Sequence, residues 1–164
     1  MKQIKHFQLV DIGYRWLLKH GCAFAFMELV TQAKETPDVI GFKNGTSYLI
    51  ECKTSRSDFL ADKKKPFRKM TSKGMGRFRF FLSPKDIIKV EDLPKGWGLI
   101  WTDTKGKTEI IHNPYCKSKN GNIYKGGFYK RNKDGENRMM MSALRRLQIL
   151  GLVDRIYEVK SYRR

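Results

Sequence analysis

"PDVIGFKNGTSYLIECK", residues 37–53, holds two short apolar runs joined by Asn44-Gly45. Val39-Ile40-Gly41-Phe42 and Ser47-Tyr48-Leu49-Ile50 read as strands, and Asn-Gly between such runs is the strongest short hairpin signal a sequence offers. A two-residue turn fixes the register. Lys43 then faces Thr46, Phe42 faces Ser47, Ile40 faces Leu49, and Asp38 falls across from Glu51. Side chains alternate along a strand, so Lys53, two residues beyond Glu51, points the same way as both acids. The hairpin gathers two carboxylates and an ammonium on one patch.

Like charges opposed across a strand pair are destabilising, and burial makes them worse. Lys53 offsets part of this, but a hard divalent cation does it better. Mg²⁺ takes oxygen ligands and is held by one or two carboxylates plus substrate phosphates, which points to phosphodiester chemistry. The plain alternative makes Asp38 a turn residue after Pro37 and leaves Glu51 and Lys53 on a solvated strand edge.

The chain has 164 residues, suited to one domain with a real core. Its 34 Lys and Arg against 16 Asp and Glu give a net charge of +18. Such an excess favours a polyanionic partner through counterion release and electrostatic steering, and nucleic acid is the obvious candidate. No continuous apolar stretch approaches the ~20 residues of a spanning helix, and no long basic amphipathic helix stands out, so a membrane partner is not expected. "MKQIKHFQLV" lacks the apolar core of a secretory signal, which makes the cytoplasm the expected location. Cys22, Cys52 and Cys116 form no CxxC pair and read as reduced thiols, with Cys52 facing the buried layer beside Ile50. His112 and Cys116 read as loop residues, since Pro114 stands between them.

Around the hairpin, "QLVDIGYRWLLKH" (8–20) spaces Leu9, Ile12, Trp16 and Leu17 as a helix, with Gly21 as its stop. "CAFAFMELV" (22–30) reads as a strand in which Glu28 interrupts an apolar row. Glu28 is either a third acid near the patch, if this strand pairs beside that of Asp38, or a charge emerging at the end of the sheet. In "TSRSDFLADKKKPFRKM", Ser55 and Asp58 have capping-box spacing, so a helix begins there and kinks or stops near Pro66. "RFRFFLSP" alternates Arg77 and Arg79 with Phe78 and Phe80, as a strand with one charged and one buried face does. "WGLIWTDT" and "KTEIIHN" form a second hairpin around Lys105-Gly106.

From Lys53 to Arg77 nine basic residues stand against Asp58 and Asp62 alone. Beside the acidic patch this stretch suits phosphate contact, and Arg56, Lys63, Lys64, Lys65, Arg68, Lys69, Arg77 and Arg79 are the candidate DNA-binding residues. Arg56 is the sharpest of them, because it sits at the first turn of its helix. "KGMGR" lacks the spacing of a P-loop or dinucleotide fingerprint. Residues 114–136 are glycine-rich, basic and aromatic and read as a flexible loop, whose Tyr115, Tyr124, Phe128 and Tyr129 would suit stacking on unpaired bases. A last helix follows over about 137–151, with its methionines in the core, after a core of about residues 9–112.

Pro37-Asp38, "ECK" beginning thirteen positions after Asp38, and a basic helix after the hairpin resemble the PD-(D/E)XK nuclease superfamily. "ECKTSRSDFLADKKKPFR" with "LPKGWGL" is similar to a branch of small bacterial and phage members linked with DNA repair and DNA processing. The resemblance implies an α/β (α+β) fold, a mixed central β-sheet flanked by helices with a restriction-endonuclease-like core, and metal-dependent hydrolysis of DNA. Carried over by position, Asp38 and Glu51 bind Mg²⁺, for which Mn²⁺ substitutes, with help from the backbone carbonyl of Cys52. Lys53 orients the attacking water or helps deprotonate it. Members often place another glutamate on the first helix. Here that helix offers only Asp11, and Glu28 is the substitute.

The leading expectation is therefore a Mg²⁺-dependent DNA endonuclease, acting on structured or damaged DNA in repair or phage DNA processing. Its partner is DNA, and a homodimer is compatible with it. A non-catalytic DNA-binding module of the same fold and a basic RNA-binding protein are the alternatives; the second leaves the acid pair unexplained.

Overall fold

The computed structural model describes residues 4–116 and 124–159. Its centre is a six-stranded mixed sheet in chain order: β1 (Phe24–Met27), β2 (Val39–Lys43), β3 (Thr46–Cys52), β4 (Phe78–Pro84), β5 (Gly98–Thr102) and β6 (Thr108–His112). β1–β2–β3 run antiparallel, β3–β4–β5 parallel, and β5–β6 antiparallel. The register of the first hairpin is the one its turn demands, with Lys43 opposite Thr46, Phe42 opposite Ser47 and Ile40 opposite Leu49. Asn44 and Gly45 both adopt positive φ, 50° and 68°, the conformation that a type I′ turn requires.

One face of the sheet is covered by α1 (His6–Lys19), which buries Leu9, Val10, Ile12, Trp16 and Leu17 against Val39, Ile50, Phe80 and Leu82. Gly13 lets the helix approach closely: a Cβ there would lie 3.2 Å from a Val39 methyl. The other face packs Ile40, Leu49, Phe81 and Leu99 against Phe59 of α2 (Arg56–Asp62), Met75, Ile88, Trp97 and Met139. Pro66 opens the short helix α3 (Pro66–Lys69), where its missing N–H leaves nothing unsatisfied. Ser55 caps α2 by accepting a hydrogen bond from the Asp58 amide.

Several expectations are corrected here. β1 ends at Met27, and Glu28 turns out of the strand with φ of 44°. β4 is buried on both faces because parallel central strands are covered on both sides, so Arg79 lies inside the protein. Its guanidinium donates to the carbonyls of Gly76, Thr71 and Gly74, and its ring partner is Phe128, 3.9 Å away. His112 belongs to β6. Within 114–136, the described ends are pinned: Cys116 bridges Tyr124, Tyr115 is buried, and Phe128 N–H donates to Arg77 O at 2.8 Å. α4 (Lys133–Ile149) starts four residues earlier than the apolar spacing indicates, capped by Asn132. Met139 enters the core whereas Met141 is exposed. Residues 117–123 of the basic aromatic segment lie outside the described residues.

Candidate metal centre

Asp38 immediately precedes β2, and continuing the hairpin register by one residue places it across from Glu51. Its Oδ2 accepts the Cys52 amide at 2.7 Å, which ties the carboxylate to the β3 backbone. Glu51 and Lys53 emerge on the same face, as two-residue spacing requires, and both are buried, with only 2% and 4% of their surface exposed. Lys53 Nζ lies 3.6 Å from Glu51 Oε2 and 3.2 Å from Asp62 Oδ1. Cys52 faces the opposite layer with Ile50, and burial holds its thiol well above the usual range, so it is core and contributes no charge. Its peptide borders the Asp38 carboxylate through the amide.

Two residues extend this patch from outside the hairpin. Glu28 N–H donates to the Asp38 carbonyl at 3.0 Å, which fixes the turn that swings the Glu28 side chain toward the site. His6, at the start of α1, sets Nε2 3.2 Å from Glu28 Oε1 and 3.6 Å from Asp38 Oδ1. One ligand atom from each of His6, Glu28 and Asp38 lies within 4.8 Å of the others, close enough to share one cation. Glu28 thus joins the patch because β1 does pair with β2. His6 was not legible in the sequence: a lone histidine thirty-two positions before Asp38 carries no local signal.

Behind the patch lies a buried ion network centred on Arg68. Its Nε donates to Asp62 Oδ2 at 2.6 Å, its Nη1 to Glu35 Oε1 at 2.8 Å, and its Nη2 faces Glu51 Oε1 at 2.8 Å. The last pair is in Coulomb contact but not aligned as a hydrogen bond, which leaves Glu51 Oε1 buried with an unused lone pair. Glu35 Oε2 is occupied by the Met75 amide at 2.6 Å. Glu35, Asp38, Glu51 and Asp62 thus face two buried cations, Lys53 and Arg68, with Lys65 reaching Asp62 from the surface at 2.8 Å. The inner cluster has more negative than positive charge.

The protonation equilibria follow from burial together with these charges. Burial, reinforced by the Glu51 charge, pushes the Asp38 carboxyl up to about 7, against the opposing pull of the Cys52 amide, Lys53 and His6. Burial works against the Lys53 ammonium too, but Glu51, Asp62 and Asp38 outweigh it and raise its pKa. Lys53 is therefore held protonated at neutral pH. Burial likewise opposes ionised Asp62, yet Arg68, Lys53 and Lys65 bring it down to about 2.

The basic stretch divides into two populations. Arg68 and Arg79, candidates for DNA contact from the sequence, are buried side chains engaged with protein groups, and a polyanion has no access to them. Arg56 makes two hydrogen bonds of 2.6 Å to Asp92 and is half-exposed. Arg77 lies between the rings of Phe78 and Tyr129 and donates to Gly126 O. Lys63, Lys64, Lys65 and Lys69 are exposed on and between α2 and α3, close to the chain segment that carries Arg68 into the site.

The sheet and site define a mixed α/β fold with an acidic centre at one end of its first hairpin. No family model and no curated protein matches the chain. Among solved structures it is similar to a protein of unknown function from Silicibacter pomeroyi, with 26% identity, a TM-score of 0.59, and coverage of 91% of this chain and 93% of that one. That similarity supports a mixed β-sheet flanked by helices. Among the described residues, no helix is long and apolar enough to cross a membrane.

Proposed function

We propose that the chain is a divalent-metal-dependent nuclease with a restriction-endonuclease-like core that hydrolyses phosphodiester bonds of DNA. The observation that carries this reading is the convergence of Asp38, Glu51 and Lys53 on one face, with Asp38 driven toward neutrality by burial and by Glu51. A pair of carboxylates kept in that state gains most from a cation, and ligand atoms of His6, Glu28 and Asp38 lie within 4.8 Å of one another to receive it. His6, Glu28 and Asp38 are the residues that would hold it, with the Glu51 charge across the hairpin from Asp38 adding to its pull on a cation. Oxygen donors suit Mg²⁺ or Mn²⁺, and an imidazole in the set favours Mn²⁺. When bound, such an ion lowers the pKa of a coordinated water and stabilises charge on the phosphate.

The protein's own part is orientation and charge. Lys53, protonated between Glu51 and Asp62, acts as a hydrogen-bond donor that orients water or a phosphate oxygen; its raised pKa argues against the alternative role of base. Exposed Lys63, Lys64 and Lys69 and the net charge of +18 would carry the backbone contacts. The test is incubation with supercoiled, linear, single-stranded and branched DNA in Mg²⁺, Mn²⁺ or EDTA. Cleavage with metal, lost in Asp38→Ala and Lys53→Ala while DNA binding persists, supports the proposal.

A second reading, a DNA-binding module of the same fold that does not cut, is favoured by one feature: Arg68 and Lys53 already neutralise Glu51 from within. Retained DNA binding with no cleavage under any metal would select it.

A further inference from the structure

A concave site lies at the other end of α1 from the acidic centre. His6 and His20 are separated by fourteen residues of helix, roughly 20 Å at 1.5 Å per residue. Around His20 a cavity of about 380 Å³ has Trp16, Lys19, Cys22, Lys43, Tyr48 and Tyr124 among its lining residues. Its walls are aromatic. Trp16 and His20 stack at 3.8 Å, and Tyr48 and Tyr124 lie 5.6 Å apart.

Its charge is of one sign. None of the lining residues is acidic, and neither Lys19 nor Lys43 forms an ion pair among the described residues. Burial pushes the Cys22 thiol up to about 11 and raises the Tyr48 phenol, so neither contributes an anion at neutral pH. The carbonyl end of α1, which would otherwise repel an anion, is capped: His20 Nδ1 bonds Trp16 O at 2.8 Å and Lys43 Nζ donates to His20 O at 3.0 Å. One contact leaves two ammonium donors of Lys43 for a ligand. Polar aromatic rings beside two uncompensated lysines match a flat aromatic ring joined to an anionic group.

We propose that this cavity binds a nucleotide unit, with the base against Tyr48 and Tyr124 and the phosphate between Lys19 and Lys43. Stacking on aromatic rings accepts any base, so the site selects for the base–phosphate combination over sequence. The site is separate from the acidic centre and stands whether or not that centre cuts DNA.

The experiment is calorimetric titration of the full chain in EDTA with AMP, adenosine, inorganic phosphate and a 5′-phosphorylated oligothymidylate. AMP should bind at least tenfold more tightly than adenosine or phosphate. Lys19→Glu/Lys43→Glu, two charge reversals away from the core, should lower AMP affinity at least tenfold, and Tyr48→Leu should lower it several-fold, with Mn²⁺ binding at the acidic centre unchanged in both. Equal affinity for AMP and the oligonucleotide identifies a free nucleotide as the ligand, and a tenfold preference for the oligonucleotide identifies a strand end. AMP binding no tighter than phosphate, or unmoved by the double charge reversal, would overturn the proposal. Should Tyr48→Leu fail to fold by circular dichroism, the charge-reversal variant decides alone.

Discussion

Arg68 Nη2 stands 2.8 Å from Glu51 Oε1, inside a shell that also brings Glu35 and Asp62 onto the same guanidinium. One buried cation thus holds three carboxylates, from the connection between β1 and β2, from β3 and from α2. The planar fork of arginine meets the three carboxylates from three separate nitrogens, a spread that the single nitrogen of an ammonium lacks.

Replacing Arg68 by alanine should therefore destabilise the fold by about 3–5 kcal/mol, because buried Glu35 loses its ion-pair partner and Glu51 and Asp62 keep only lysines. Arg68→Lys should recover part of this and no more, since an ammonium cannot span the three partners. Chemical denaturation at pH 7 measures both. A loss under ~1 kcal/mol would mean that the network is peripheral to stability.

Asp38 predicts an opposite response to pH from that of Asp62. An acid whose folded pKa rises from 3.8 to about 7 binds its proton more tightly when folded, so it favours the fold at low pH and this contribution is lost as pH rises from 4 to 7. The loss is on the order of a few kcal/mol. Asp38→Asn should flatten this part of the stability profile in metal-free buffer. Added Mn²⁺ should restore stability to the unaltered chain above pH 6 and do little for the variant. Asp62, held at about 2, stabilises above its ordinary value of 3.8 and loses that contribution only as pH falls toward 2. Thermal melts from pH 3 to 8, with and without Mn²⁺, separate the two.

Among the basic residues, Lys64 and Arg79 should behave oppositely. Lys64→Glu on the exposed surface should leave stability within ~0.5 kcal/mol and reduce the slope of log affinity for DNA against log salt by roughly one phosphate contact. Arg79→Gln should leave buried carbonyls short of donors, cost about 1–3 kcal/mol, and leave the salt slope unchanged. Fluorescence anisotropy at several salt concentrations reads the slopes. A smaller slope for Arg79→Gln in a folded protein would restore it to the DNA-contact set.

How far the sequence discloses this architecture depends on how local each cause is. The hairpin is local: Asn44-Gly45 sets the turn, the turn sets the register, and the register places Asp38, Glu51 and Lys53 together. The burial of Arg79 is not local, because Arg-Phe alternation looks the same whether the charged face meets water or a layer of loop carbonyls. Only the position of β4 at the centre of the sheet decides between them. Arg68 was hidden for a related reason, since a guanidinium in a run of lysines reads as solvated until Glu35, thirty-three residues earlier, is seen beside it. His6 and Glu28 meet only because α1 and the end of β1 converge in space.

The N-terminus of α4 offers a test of how its helix is held. Glu136 Oε1 accepts hydrogen bonds from Ser47 Oγ at 2.7 Å, the Gly76 amide at 2.9 Å and Arg131 Nε at 3.0 Å. One carboxylate oxygen therefore joins α4 to the first residues of β3 and to the loop before β4, while Met139 one turn on enters the core. Farther along, Met141, Leu144 and Ile149 are exposed, so little packing replaces this anchor. Glu136→Ala would leave the Gly76 amide and Arg131 without their acceptor, a cost of about 1–3 kcal/mol. The loss should appear first as faster hydrogen exchange across 133–149, with the amides of β3 and β4 still protected. Equal acceleration in helix and sheet would instead mean that α4 and the core unfold as one cooperative unit.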